Sequence, residues 1–343
     1  MSEEAVHQLT NVLSTINDLY EIKPVSVVER VAIGVSAENH VLANENDKYF
    51  LKRYRAKYGP DLVAQIHSAK QFCHTGGIPT VLPLPTMNGQ TFFSIDGLQY
   101  ALFPFVDGEV VDRYNPDTDA LHAMATLEAK LHRLSEHGVS IHLYERDLSW
   151  DTTRFLAEAE RVIGVIESQP TAPFNELAIN TLRLKIELAK KNTTTYDQLG
   201  LKKDHLTHGD FNAENMFFTK EHAVKYLFDF ERAALGPRSY DLFLTLSQTF
   251  LQKADHMEER IKRCCDYVAD YHHDYPIPPA EIRAGFQLRY LNDIHTAWKE
   301  QKIFENHDER MKPFLEHDFA KLTWLSEHFE AISDQFAAAV KHS

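Results

Sequence analysis

The sequence has little cysteine, no long apolar run and no surplus of basic residues. Three cysteines occur in 343 residues, Cys73, Cys264 and Cys265, and no C-x-x-C spacing exists. That excludes a disulfide framework and a zinc-finger pattern, and it fits a reducing cytosol. No stretch approaches the roughly 20 apolar residues of a membrane helix. The opening MSEEAVHQLT is acidic and lacks the basic segment and apolar stretch of a secretory signal. The expectation is a soluble, cytoplasmic protein that does not engage a membrane. Lysine and arginine number 36 against 50 acidic residues, for a net charge of -14. A nucleic-acid binder that works by phosphate neutralisation needs a basic face, so no nucleic-acid partner is expected. Acidity leaves a polyphosphate ligand open, because local amides, one or two basic side chains and a metal ion can hold one. Internal repeats and low-complexity segments are also absent.

What is present is an ordinary globular balance, with 43% hydrophobic residues and an aromatic-rich core supply of 21 Phe and 14 Tyr. A chain of this length exceeds one small core and predicts two lobes. Residues 5–20 carry apolar side chains at helical spacing. SVVERVAI, then the polar bend GVSAEN, then HVLAN and YFLKRYR, reads as strands around tight turns. DLVAQIHSAKQFCHTG reads as a helix ended by Gly76-Gly77. TVLPLPT, QTFFSIDG and LQYALFPFV read as three more strands. From TDALHAMATLEAKLHRLS onward the pattern is mostly helical, with helices at about 151–168 and 174–192 and an almost all-helical stretch after 239. The predicted class is α+β: a small antiparallel β-rich lobe with one helix over residues 1–105, and a larger, mainly helical lobe over 106–343.

The chemistry concentrates in HGDFNAEN, His208 to Asn215, followed by YLFDFER, Tyr226 to Arg232. These polar residues lie between apolar, strand-like runs, where a rigid scaffold carries function on loops. Asp210, Asn215 and Asp229 offer two carboxylates and an amide oxygen. Such hard oxygen ligands suit Mg²⁺ held together with substrate phosphates. A carboxylate left over can accept a proton from a nucleophilic hydroxyl. Taken singly, each residue is better explained as a turn or cap former. The ordered set His-x-Asp-x-x-x-x-Asn and then Asp is a phosphoryl-transfer pattern.

HGDFNAENMFF followed by LFDFERAALGPRSYDL resembles the aminoglycoside phosphotransferase and choline kinase superfamily, small-molecule kinases of protein-kinase-like fold. Its usual form is H-G-D-x-x-x-x-N, then I-D-[FW]-[DE], then a downstream D-[LI]. The resemblance covers residues 25 to about 250. It implies Asp210 as catalytic base, Asn215 and Asp229 as Mg²⁺ ligands, and His208 and Asp241 as structural braces of the loop. Glu231 would touch a second metal through water, or only support the loop. It further implies ATP or GTP as donor and a small-molecule hydroxyl acceptor.

For the nucleotide, Ser36 and Asn39 stand in the polar bend, and Lys52 stands at the position of the phosphate-binding lysine. The full kinase glycine pattern is missing. The family's partner glutamate is missing as well, and Gln65 stands at its counted position, able to hydrogen-bond Lys52 but not to form an ion pair. Main-chain groups at Phe103 and Phe105 are candidates for the adenine edge. Pro104 has no N–H, so the donor must be Phe105 or Val106. RYLNDIHTAWKEQ places Tyr290, Asp293 and Trp298 near one helical face as a candidate acceptor site. A carboxylate with ring faces suits a cation, as does the acidic balance, so the acceptor leans slightly cationic. The expected activity is phosphoryl transfer to an amino alcohol, aminoglycoside, homoserine or sugar. The alternatives are a Ser/Thr protein kinase, disfavoured because no A-P-E segment follows Asp229, and a non-catalytic nucleotide-binding module, motivated by Gln65 and the thin glycine loop.

Overall fold

The computed structural model describes residues 3–31 and 39–341. In chain order the elements are α1 (Glu3–Leu19), β1 (Ser26–Val31), β2 (Asn39–Ala43), β3 (Lys48–Arg53), α2 (Pro60–Thr75), β4 (Phe93–Ile95), β5 (Leu98–Pro104), α3 (Thr118–Arg133), α4 (Thr152–Glu167) and α5 (Pro173–Lys191). Then follow β6 (His205–Thr207), β7 (Met216–Phe218), β8 (Val224–Leu227), β9 (Ala234–Gly236), α6 (Arg238–Thr249), α7 (Met257–Asp274), α8 (Pro279–Ile294), α9 (Trp298–Phe304), α10 (Lys312–Leu315) and α11 (Asp318–Ala339). No helix among the described residues is long and apolar enough to cross a membrane.

The chain forms two compact units. The first comprises residues 1–109, 140–143 and 216–233; the second comprises 110–139, 144–215 and 234–343. The boundary is therefore not a single cut near residue 105. The β7–β8 hairpin belongs to the first unit because its backbone is stitched there. Glu109 and Phe218 exchange N–H···O bonds of 2.9 Å in both directions, and Leu227 N donates to Pro79 O at 2.7 Å. Gly108 is required beside this hairpin, since a Cβ there would sit 2.6 Å from Phe217 Cβ.

In the first unit, an antiparallel sheet of order β1-β2-β3-β5-β4 buries one face. Val12 and Ile16 of α1 pack with Leu42, Tyr49, Leu51, Tyr100 and Leu102 of the strands. The predicted strand TVLPLPT does not form. Pro83 and Pro85 remove ladder donors, and the segment runs as coil with one isolated bridge from Thr80 to Leu227. Helix α2 begins with Pro60, where the missing N–H is harmless, and turns Val63, Ile66, His67, Ala69, Lys70 and Cys73 inward.

The second unit is mainly helical. Asp117 caps α3 by accepting Ala120 N at 2.9 Å. Helices α4, α5 and α9 share a core that includes Phe155, Val162, Leu182 and Phe304. Strands β6 and β9 pair antiparallel, with His205 opposite Gly236, and present the segment that follows β6 as a loop.

Candidate active site

The candidate residues fall into two clusters, one in each unit. In the first unit Lys52 lies on β3 opposite Ala101 of β5. Its Nζ donates to Asp229 Oδ1 at 3.0 Å and reaches Glu231 Oε1 at 2.7 Å. Burial alone pulls the ammonium's proton affinity down, but the two carboxylates outweigh it and hold Lys52 above its ordinary value. Asp229 follows β8 in the left-handed region, φ 53° and ψ 61°. Aspartate tolerates this conformation better than most residues, and such strain concentrates at functional positions. Glu231 is turned onto the lysine by the short 3₁₀ turn Phe230–Arg232.

Gln65 is not the lysine's partner. Its Nε2 donates instead to His142 O at 3.2 Å, because residue 65 lies off the inward face of α2. The acid that the sequence reading sought on the helix is supplied by Glu231, two residues past Asp229. The same inward face carries Lys70, which sequence reasoning missed. Lys70 Nζ donates to Val81 O at 3.2 Å and lies over the rings of Phe103 (4.8 Å) and Phe230 (5.7 Å). Burial, then the charge of Lys52, pushes its pKa down to about 7.

Phe103 is buried in β5 opposite Phe50, and Phe105 is exposed. The Phe105 N–H already donates to Lys48 O at 3.2 Å, which leaves Val106 as the adenine-edge donor of the two considered. Asn39 opens β2, and its enclosed Oδ1 meets no donor among the described residues. Ser36 lies outside the described residues.

In the second unit the loop after β6 is fastened by Asp241, in the first turn of α6. Asp241 accepts His208 N at 2.7 Å and Gly209 N at 2.8 Å, one on each carboxylate oxygen. Gly209 has φ +76°, which glycine adopts without strain. The His208 ring is fully buried and meets Phe211 edge-on at 5.9 Å. Behind Asp241 lies a buried chain of acids and hydroxyls. His132 Nε2 lies 3.2 Å from Asp241 Oδ2, and its Nδ1 lies 2.8 Å from the Tyr271 hydroxyl. Glu128 accepts Thr245 Oγ1 at 2.9 Å and Tyr267 OH at 2.8 Å.

Burial, then the charge of Asp241, drives the Glu128 carboxyl well above its usual range. Burial works in the same direction on Asp241, but its bond and attraction to His132 hold that carboxyl below its ordinary value. The two acids are thereby shifted in opposite directions. Glu128, His132 and Asp241 could be taken for metal ligands by proximity. Their contacting atoms are instead engaged by hydroxyls, peptide N–H groups and one another, and the cluster braces the loop.

The brace sets the geometry of the candidate residues that follow it in the loop. Asp210 Oδ1 accepts Gln248 Nε2 at 2.9 Å and Asn212 Nδ2 at 3.2 Å. Among the described residues no donor reaches its Oδ2. Asn212 also forms an Asx turn, accepting Glu214 N at 3.0 Å, so turn chemistry and site geometry coexist in this loop. Asn215 Nδ2 donates to Asp210 O at 2.8 Å, which leaves its amide oxygen for a hard cation.

The expected acceptor residues are arranged differently from a single helical face. Helix α8 stops at Ile294 and α9 begins at Trp298, so the predicted continuous helix is broken between them. Tyr290 is buried against Phe329, with ring centroids 5.0 Å apart. Asp293 is ion-paired with Arg289, and Trp298 is exposed.

A loop of this form, a strand lysine paired to acids in the D-F-E segment, and a small antiparallel sheet followed by a helical unit define a phosphotransferase of protein-kinase-like fold. Residues 27–277 match the family model described as "Phosphotransferase enzyme family", and the chain belongs to that family. No functionally curated protein matches the chain. Among solved structures it is similar to a microcompartment-associated aminopropanol kinase, at 16% identity over 94% of this chain and 98% of that one, with a TM-score of 0.66. It is similar to the spectinomycin phosphotransferase APH(9)-Ia in complex with ADP and spectinomycin, at 15% identity over 96% and 98%, TM-score 0.61. It is also similar to choline kinase from Cryptosporidium parvum Iowa II, at 10% identity over 96% and 99%, TM-score 0.60. At these identities the likeness is one of fold.

Proposed function

We propose that this protein is an ATP-dependent kinase that moves the γ-phosphoryl group to a hydroxyl of a small molecule. The observation that carries the reading is the Asp210 carboxylate, with Oδ1 fixed by Gln248 and Asn212 and no donor on Oδ2 among the described residues. That oxygen is the proton acceptor for the attacking hydroxyl, and its orientation is set before substrate arrives. Lys52 is the phosphate contact. Its ammonium is held charged by Asp229 and Glu231, so it meets phosphate oxygens as a full cation. Asn215 and Asp229 would hold Mg²⁺, which when bound neutralises charge on the transferring phosphates. His208 and Asp241 hold the loop, Asn39 stands at the phosphate-covering bend, and Val106 N–H with the Phe103 strand receives the base. Solved relatives in fold have been crystallised with ADP, and with AMP-PNP and Ca²⁺, which supports a nucleotide and a divalent cation here. Three free thiols and a nucleotide substrate support a reducing, cytosolic setting.

The test is ADP formation over a panel of amino alcohols, hydroxy acids, sugars and aminoglycosides with Mg²⁺, alongside a nucleotide-dependent melting shift. Asp210→Ala should lower kcat by roughly 10²–10⁴-fold, the usual share of a positioned base, and leave the melting shift intact. Tight nucleotide binding without turnover of any acceptor would replace the kinase by a nucleotide-binding module.

A further inference from the structure

The surroundings of the base holder carry a charge imbalance. Arg289 of α8 donates through Nε to Ser247 Oγ at 3.1 Å and through Nη2 to Asp293 Oδ1 one turn further along. Ser247 is the neighbour in sequence of Gln248, which holds Asp210. Across the same cluster, Asp318 accepts Lys299 at 2.6 Å and Lys321 at 2.8 Å. Arg289 lies within electrostatic reach of Asp318 and Lys321. The adjoining Lys185–Glu300 pair, 2.8 Å apart and buried, is balanced by itself. Three cations, Arg289, Lys299 and Lys321, thus share two carboxylates, Asp293 and Asp318. Lys321 and Asp318 are nearly closed off, whereas the side chains of Arg289 (20%) and Lys299 (23%) reach solvent.

A surplus cation in a largely desolvated cluster is unfavourable until an anion joins it. The surplus is felt at Lys299, whose proton affinity is lowered by burial and then by Lys321. A partly exposed guanidinium and a partly exposed ammonium in such a cluster suit a carboxylate or phosphate group. We propose that this cluster receives an anionic group of the acceptor, so that the substrate is a hydroxyl compound that also bears a carboxylate or phosphate. The inference rests on the kinase reading above and reverses the cationic lean drawn from composition, because Asp293 is committed to Arg289.

The experiment compares matched acceptors by calorimetry on the full chain with Mg²⁺ and ADP: homoserine against aminopropanol, glycerate against glycerol, and glycerol phosphate against glycerol. At least one anionic member should bind about tenfold more tightly than its partner, the scale of one charge-assisted hydrogen bond, and the carboxylate and phosphate pairs separate the two sources. Lys299→Met, which leaves two cations facing two carboxylates, should abolish that preference and raise the denaturant midpoint of the unliganded chain. A Lys299 that serves only as a strut would lower the midpoint and leave the preference. Equal binding within every pair, preference for the uncharged or cationic members, or an unaltered preference in Lys299→Met each overturns the proposal. ADP formation followed in parallel samples, with ATP in place of ADP, keeps the two readings apart. Phosphorylation of cationic or neutral acceptors alone sinks this inference and keeps the kinase. No turnover of any bound acceptor sinks the kinase, while the binding preference still decides the anion site.

Discussion

Asp241→Asn exposes how the catalytic loop is held. The carboxylate accepts three donors, His208 N at 2.7 Å, Gly209 N at 2.8 Å and His132 Nε2 at 3.2 Å. An asparagine has one acceptor oxygen. In its better orientation it keeps His208 and His132 and turns an NH₂ toward the Gly209 N–H, leaving a buried donor unpaired at about 1–3 kcal/mol. The two retained bonds lose their charge assistance, roughly 1 kcal/mol each. The sum, about 3–5 kcal/mol, matches the usual penalty for breaking a buried charged contact. The displaced peptide lies one residue before Asp210, so kcat should fall on the order of 10²-fold, as for a displacement of about 1 Å at a reacting group. Nucleotide affinity should change far less, because Lys52, Asp229 and Glu231 are held within the first unit. Guanidinium denaturation gives the first quantity, and single-turnover kinetics with nucleotide titration give the others. A stability loss under about 1 kcal/mol with kcat unchanged would mean that these peptide N–H groups need no anion, and the bracing argument would fail.

Other outcomes follow from neighbouring groups. Glu128 has a raised folded-state pKa, so its stabilising effect is complete below the unfolded value near 4.5 and is lost as pH rises toward the folded one. Glu128→Gln should therefore gain stability relative to the parent as pH rises from 5 to 8, seen in denaturant midpoints; a constant offset across that window would contradict the raised Glu128 carboxyl. Lys70 has a pKa lowered to about 7 from 10.5, so the folded chain is penalised as pH falls through that interval. Lys70→Met should stabilise by on the order of 2 kcal/mol at pH 7 and by little at pH 10, after allowing for the lost bond to Val81 O; equal shifts at both pH values would rule this out. Gln248→Leu should lower kcat about tenfold through a less fixed Asp210 and spare nucleotide binding, while Gln248→Asn, too short to reach, should not rescue it. Gly108→Ala should lose about 1–3 kcal/mol from overpacking against Phe217, read as a lower melting temperature.

The loop and its brace were legible because each part carries a fixed local spacing. His208, Asp210, Asn215 and Asp241 lie within 34 consecutive residues, and a short loop before a helix constrains them strongly. Lys52 was legible from its place on a hairpin strand. Its partner was not, because the choice between Gln65 and Glu231 depends on which way α2 is rotated about its axis. The inward face of that helix includes His67 and Lys70, polar residues that a hydrophobic period counts as outward. TVLPLPT was read as a strand on composition, and its two prolines override that reading. Glu128 and His132 gave no motif at all. Their signal was a polar pair one turn apart on the apolar face of α3, visible once that face is known to be buried. Asp293 was read as an open carboxylate although Arg289 stands four residues before it, the spacing at which helical side chains meet.

The fastening of the β7–β8 hairpin to the first unit bears on how this chain can be cut or inherited. The unit that holds Lys52 is assembled from three stretches separated by long excursions, 1–109, 140–143 and 216–233. A fragment ending near residue 109 would keep the lysine and omit Asp229 and Glu231, stranding an ammonium whose side chain is only 15% exposed. No contiguous piece contains the first unit alone, so that unit cannot be passed to another protein without parts of the second. Gene fusions, truncations and split reporters built on this chain must carry the segment through Ala233 or lose the charge balance on which the unit depends.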